Sequence, residues 1–402
     1  MNEAHHHPAG RPTLLSPAEI TRVLDTARFA PSAHNTQPWV PEFRTEEART
    51  PEAHTALVLR VDPERTLPVA DPRHEDLTLA LGCWLEAAAI TLRQNGSDLR
   101  IDAVTGNGPD LHVRATVVES APDGRAQTTS AKAATVETFT PADVRDRCVD
   151  RGRLLPDPAA LDRALTAWTA EDPRSSRAES GDGDAALRIV EVTEAVWSRA
   201  AGLSRYALLS SAPVFEETLA WLRLDPREPQ YREDGLTADT LRIPAPLARG
   251  MHALVGTGRS VPTHLVHRLV RAAAVGVGGT VDRVVRRTGN RRRADRSPTS
   301  DRYDVGARFR ALSRQNPHRL ALLVPTAGSA PSPTVLLAHG RRLYRLWLHL
   351  AGAGLRVNVA SELKDVPEAA RRLTPDPRLR PLAAFSAGRS RDQRVPRAPR
   401  LP

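Results

Sequence analysis

Residues 28–43, "RFAPSAHNTQPWVPEF", break a helical pattern with a proline and then set Ser32, Asn35 and Gln37 close against Pro38 and Trp39. A helix start lies just before them. In "SPAEITRVLDTARFA" Ser16 caps, Pro17 suits the first helical position, and Glu19 stands three residues after Ser16, completing a capping box. Ile20, Val23, Leu24 and Ala27 follow at helical spacing and give one apolar face. Pro31 has no amide hydrogen and disfavours the helical conformation of the residue before it, so the helix is expected to end there. The stretch up to Pro38 therefore reads as a polar loop between a rigid helix and an extended segment from Trp39 to Phe43. A short hydroxyl at Ser32 and an amide at Asn35 that both donates and accepts suit the edge of a planar polar heterocycle. They equally suit local capping of the backbone, and the residues alone leave both readings open.

Further along, "HTALVLRV" and "LHVRATVVES" read as strands, and "HEDLTLALGCWLEAAAITLRQNG" as a long helix with Leu77, Ala80, Trp84, Ala88 and Leu92 inward. "LRIVEV" and "LALLVP" read as buried strands. "TVLLAHGRRLYRLWLHLAGAG" reads as a helix with Leu336, Leu343, Trp347 and Leu350 on one face. The two long helices match. Setting Gly82 on Gly340 also sets Leu85 on Leu343, Ala89 on Trp347, Leu92 on Leu350 and Gly96 on Gly354. Each then leads into a short alternating stretch, "DLRIDAV" or "LRVNVA". The match is consistent with two related halves, although amphipathic helices ending in glycine also agree by chance. Residues 255–305 are Arg-rich and poor in large apolar side chains, which marks an insertion.

The chain has 402 residues, a formal charge of +10 and 40% hydrophobic residues, enough for a real core and for an anionic ligand. Its two cysteines, Cys83 and Cys148, lack zinc or disulfide-framework spacing. No uninterrupted apolar stretch is long enough to span a bilayer, so a soluble, cytoplasmic protein with no membrane partner is expected. There is no G-x-G-x-x-G after a strand, no G-x-x-x-x-G-K-[ST] and no G-x-S-x-G, which argues against Rossmann, P-loop and hydrolase chemistry. Arg291, Arg292 and Arg293 come with no nucleic-acid-binding signature, so a nucleic-acid partner is not expected. His264 and His267 have no third ligand at credible spacing and read as surface or lid residues, with no metal site. His34 reads as solvated, though its place in the loop would also let it touch substrate, and Cys148 as a structural thiol.

"APSAHNTQPW" resembles the A-P-S-x-x-N-x-Q-P-W segment of nitroreductase-like FMN proteins. With "TLPVADPRHEDLTLALGCWLEAA" and the double length, the chain is most similar to their Acg-type branch. The resemblance implies an α+β, three-layer α/β/α sandwich. It also implies internal duplication, so that one chain is a monomeric pseudo-dimer enclosing FMN between its halves. The halves would be residues 1–140, carrying the loop, and 141–402, carrying the insertion. Pro31 and Ser32 would lie against the flavin and Asn35 would bond its polar edge, with Gln37 part of the same segment. "DVRDRCVDRGRLLPD" places Arg147 and Arg151 at the spacing of a second family element, with Val149 where a hydroxyl is expected. A late Pro-Arg element is matched by Pro396–Arg397, with Arg394 nearby. "LLSSAPVFEETLAWLR" has Ala-Pro without a following Asn, so one flavin per chain is expected.

The implied function is an FMN oxidoreductase passing hydride from NAD(P)H to a small-molecule acceptor, with no obligatory catalytic side chain. The alternative is a protein that stores or sequesters FMN, its insertion closing the face where nicotinamide would stack.

Overall fold

The computed structural model describes residues 11–47, 53–120, 138–172, 187–255, 265, 267–268, 316–326, 331–374 and 376–401. Most of the Arg-rich stretch, including Arg291–Arg293, falls outside them, as does His264.

Helix α1, Pro17–Ala27, starts on the expected capping box, with the Ser16 backbone amide donating to Glu19 Oε2 at 2.8 Å. The helix ends at Ala27, and Arg28–Ala30 turn before Pro31 is reached. Strands β1 (Trp39–Glu47) and β2 (Ala53–Val61), helix α2 (Glu75–Arg93) and strands β3 (Ser97–Thr105) and β4 (His112–Glu119) complete a first unit. Its sheet is antiparallel with the order β1-β2-β4-β3.

The chain continues through α3 (Pro141–Asp146), β5 (Leu154–Leu155), α4 (Pro158–Glu171), β6 (Arg188–Glu191), α5 (Glu194–Ser210) and α6 (Ala212–Ala220). A small parallel pair follows, β7 (Leu222–Arg223) with β8 (Leu236–Thr237), and then α7 (Ala245–Val255). After β9 (His318–Pro325) come α8 (Pro333–Gly352), β10 (Arg356–Val359), α9 (Glu362–Asp365), α10 (Pro367–Leu373) and β11 (Leu379–Ser390). The second sheet runs β6-β9-β11-β10, again antiparallel, with β5 added to β11. Reading α4, β6, β9, α8, β10, β11 against α1, β1, β2, α2, β3, β4 gives the same strand order in both sheets.

Helices α2 and α8 lie between the sheets and pack on each other. Leu337, Tyr344 and Leu348 of α8 join the first core, and Leu79 of α2 joins the second. The close approach is set by two glycines. A Cβ on Gly82 would lie 2.3 Å from the Leu337 carbonyl oxygen, and one on Gly340 would lie 2.3 Å from that of Leu79. These are the residues that align when the two helix sequences are matched. A single inward face is too small an expectation for α2: every residue from Leu77 to Leu92 is buried, because the sheet covers one side and α8 another. An ion network crosses the same contact. Buried Glu86 accepts from Arg341 (2.7 Å), Arg345 (2.9 Å) and Arg93 (3.0 Å), while Arg345 also reaches Glu171 at 2.6 Å. Burial alone would raise the Glu86 carboxyl, but the three guanidinium groups outweigh it and hold it far below the usual value.

The second sheet has a core on each face. Leu320, Leu322 and Val324 of β9 face α4 and α8, while Ala321 and Leu323 face α5, α9 and α10. That explains the unbroken apolar run "LALLVP". The helices of the first unit gather on one face of its sheet, and charges pair along β1 (Arg44 with Glu42) and across strands (Arg60 with Glu42, and Arg114 with Glu46). Phe139 and Val144, on either side of the junction of the expected halves at 140/141, both pack with the first core.

Candidate functional site

Three residues of the loop after α1 adopt the left-handed conformation: His34, Asn35 and Gln37, at φ of 48°, 56° and 53°. Such backbone is costly for residues other than glycine and persists where its surroundings fix it. Here the Gln37 amide donates to Ser32 Oγ at 2.9 Å, and the Asn35 amide donates to the Ser32 carbonyl at 3.1 Å. The side-chain amides then reach far along the chain. Asn35 Nδ2 donates to the Pro399 carbonyl at 3.0 Å, and Asn35 Oδ1 accepts from Arg400. Gln37, with no exposed surface, accepts at Oε1 from the Leu401 amide (3.0 Å) and donates from Nε2 to the Glu233 carbonyl (2.8 Å). Both amides therefore clamp the 391–401 segment, and Gln37 also clamps the 221–237 segment.

Beside this loop, between α2 and α8, lies an inner chamber of about 360 Å³. Pro31, Ser32, Leu79, Ala80 and Cys83 line it from the first unit, and Val149, Arg151, Leu236, Leu343 and Trp347 from the remainder. Its volume lies within the ~300–1,000 Å³ usual for small-ligand sites. Burial pushes the Cys83 thiol up to about 12, and its Sγ donates to the Gly340 carbonyl at 3.3 Å, so it is an inert wall.

An annex of about 70 Å³ adjoins the chamber and shares Pro31, Ser32, Val149, Arg151 and Leu236 with it. Arg145, Arg147, Arg151, Arg397 and Arg400 line the annex, and among the described residues no carboxylate does. Arg147 is buried. One of its nitrogens donates to the Phe29 carbonyl at 3.2 Å, while Nε and Nη1 have no hydrogen-bond partner. The Arg147 guanidinium lies 5.5 Å from the Tyr344 ring and 5.8 Å from that of Trp347. Burial, with Arg147 nearby, depresses Arg400 to about 9. Burial also lowers Arg151, with Glu362 opposing. None of Arg147, Arg151 and Arg400 has an ion-pair partner among the described residues. Crowded, desolvated guanidinium groups without an anion are costly, and a dianion in the annex would relieve them.

The opposite end of the inner chamber is acidic. Lys364 Nζ pairs with Asp76 at 3.2 Å and Asp365 at 2.5 Å, and Asp71 accepts from the Glu75 and Leu77 amides, each at 2.9 Å. Burial, reinforced by Asp76, raises both Asp71 and Asp365 to about 7, although Lys364 opposes it. Burial also raises Glu362. His34 lies here too, held down at about 4 by burial and by Arg151. An outer chamber of about 350 Å³ follows, sharing Ala33, His34, Asp76, Ser361 and Glu362.

Of the residues singled out by sequence, Pro31, Ser32 and Arg151 line the inner chamber, and Asn35, Arg147 and Arg397 line the annex. Gln37 lines neither. Its amide is spent on clamping. Arg397 is exposed and bonded to the Arg145 carbonyl (2.6 Å) and Asp146 (3.1 Å). The buried guanidinium of this segment is Arg400, in the next Pro-Arg pair, and that repeat in "RVPRAPRLP" was the available signal. His34 lines both chambers and is not the solvated side chain expected. His267 is buried against the Phe215 ring rather than at the surface. Ala212–Pro213 begin α6, so they are no counterpart of the first loop. By chain order that counterpart would fall between α4 and β6, where residues 173–186 lie outside the described set.

No family model matches the chain, and no curated relative matches it. Among solved structures it is similar to the FMN and NADPH-dependent nitroreductase NfnB from Sphigopyxis sp. strain HMH. That match has 13% identity and a TM-score of 0.29, and covers 64% of this chain and 93% of that one. It is also similar to the FMN-dependent nitroreductase NfnB from Mycobacterium smegmatis in complex with NADPH. Here identity is 14% and the TM-score 0.29, with 64% and 92% covered. Superposition that loose carries no argument about chemistry, which rests on the residues above.

Proposed function

We propose that this chain is an FMN-dependent oxidoreductase of nitroreductase type, built as two related halves in one chain around one cofactor. The observation that carries the reading is the annex: five arginines, no lining carboxylate, and a buried Arg147 with two unbonded nitrogens, directly beside a ring-sized chamber. In this reading Arg147, Arg151 and Arg400 hold the FMN phosphate, with Arg397 at the rim. Pro31 and Ser32 bound the ring, while Asn35 and Gln37 act by fixing the loop and the arginine-bearing segment. Shared strand order and the facing glycines support duplication of a common unit, and so a monomer that is its own pseudo-dimer.

Bound FMN would supply hydride transfer from NAD(P)H to a small acceptor. The chain's own residues bind, orient and exclude water. The Arg147 and Arg151 charges favour an anionic cofactor, and Leu236 and Trp347 give the inner chamber an apolar wall. Neither cysteine nor any metal cluster among the described residues is needed. Among the described residues no helix is long and apolar enough to cross a membrane, consistent with a cytoplasmic site of action.

One feature favours the second reading, FMN storage. Segment 221–237 closes over the loop, through Gly235 N to the Asn35 carbonyl (3.3 Å) and through Asp234, which pairs with Arg65 (3.0 Å) and Arg223 (2.8 Å). Anaerobic mixing with NADPH or NADH separates the two. Loss of visible flavin absorbance within seconds supports the enzyme. Colour that persists with both donors and disappears with dithionite supports storage. A protein that purifies without flavin and binds none overturns both.

A further inference from the structure

The outer chamber is not accounted for by the cofactor. It lies beyond the acidic end of the inner chamber, on the side away from the annex, and two features of its lining stand out. First, Asp71, Asp76, Glu362 and Asp365 all face it. Lys364 is the cation that contacts these carboxylates, and it is shared between Asp76 and Asp365. Arg73, also on the lining, is engaged by Glu75 at 3.4 Å. Among the described residues the four carboxylates outnumber the cations that act on them, which are Lys364 and, on Glu362, Arg151 and Arg205. Second, His34 lines both chambers, and its Nδ1 is buried without a hydrogen-bond partner. A buried polar atom left unbonded is costly and marks a place where a ligand donor fits. Leu67, Val69, Leu208, Val214 and Val366 give the remaining wall an apolar surface, interrupted by the hydroxyls of Ser211, Thr218 and Ser361.

We infer that the outer chamber binds a small organic cation, a protonated amine whose charge sits among Asp71, Asp76, Asp365 and His34 while its hydrocarbon part covers the apolar wall. The chemistry is complementary on each count. An ammonium donates up to three hydrogen bonds, to carboxylate oxygens and to the unpartnered His34 Nδ1 in the tautomer that leaves it an acceptor. An anion of the same shape meets uncompensated negative charge. That this cation is the redox partner rests on the flavin reading above. The charge preference of the chamber does not.

Equilibrium dialysis of the purified full-length chain tests it with three probes of nearly equal shape: 2-phenylethylammonium, 2-phenylethanol and phenylacetate. Flavin content is measured on each sample after denaturation, so a failed cofactor assignment is read separately from a failed cation assignment. The ammonium is expected to bind at least about tenfold more tightly than either of the others. Asp365→Asn should shrink that preference to about threefold or less, and Val214→Trp, which fills the chamber, should abolish ammonium binding. Equal binding of the three probes, no binding at millimolar concentration, or a preference that survives Val214→Trp each overturns the proposal.

Discussion

The first sheet and the second share a strand order but not their surroundings. Strand β9 alternates its apolar side chains between two helical layers, whereas the first sheet carries the Glu42–Arg44–Arg60 pairs in solvent. The same topology therefore tolerates opposite strand patterns, continuous apolar in one half and mixed in the other, according to what covers it. The loops differ more sharply. In the first unit the loop after α1 is locked in three left-handed residues by partners from far along the chain, and that half-interface carries the arginine annex.

The strongest test of that comparison concerns what joins the halves. Glu86→Gln removes the buried carboxylate shared by half-buried Arg341, Arg345 and Arg93, leaves Arg345 only Glu171, and should cost roughly 3–5 kcal/mol, read as a shift in urea midpoint. A loss below about 1 kcal/mol would mean the halves are held by packing alone. Next, Gly340→Ala drives a methyl into the Leu79 carbonyl and should cost about 2–3 kcal/mol, as should Gly82→Ala on the opposite helix. Unequal penalties would break the symmetry of the crossing. At the site, Asn35→Ala, Arg400→Ala and deletion of residues 398–402 should each weaken FMN affinity by at least about tenfold, near 1.4 kcal/mol. Because these groups act together, Asn35→Ala combined with the deletion should be no worse than the deletion alone in fluorescence titration. The smallest effect belongs to the bare sheet face: Arg114→Ala should change stability by no more than about 1 kcal/mol.

Acid sharpens the same contrast. Glu171 is held at about 2: burial raises it, but hydrogen bonds from Arg345 and His349 outweigh that. Its folded value is below its unfolded one, so its contribution is present above pH ~4.5 and is lost as pH falls toward 2. Glu86 adds to the same limb in the same direction. Glu171→Gln should lower the melting temperature near neutrality, where the contribution is whole, and the two profiles should converge as pH falls toward 2.

Much of this was legible in local sequence. The Ser16–Glu19 box and both long helices needed only near neighbours to be read, whereas the first helix stops at Ala27, before the proline expected to end it. Strand β11 was not, because "LRPLAAFSAGRS" contains a proline and small residues that read as loop. The structure places Pro381 at a register shift, where its missing amide does no harm, and lets small residues fit between layers. The annex was half visible. Arg147 and Arg151 stood at a recognisable spacing, but the choice between Arg397 and Arg400 depends on which Pro-Arg pair reaches the loop, and nothing local encodes that. The acidic chamber was invisible, since Asp71 and Asp365 are 294 positions apart in number and meet only through the fold.

Threading Arg400 and Leu401 onto Asn35 and Gln37 has a temporal consequence. Arg400 is synthesised 365 positions after Asn35, so the first unit can assemble its sheet long before its binding loop has the partners that hold it. If the flavin reading holds, cofactor loading must wait until this distant segment is made, and a chain stalled before Arg400 should be colourless.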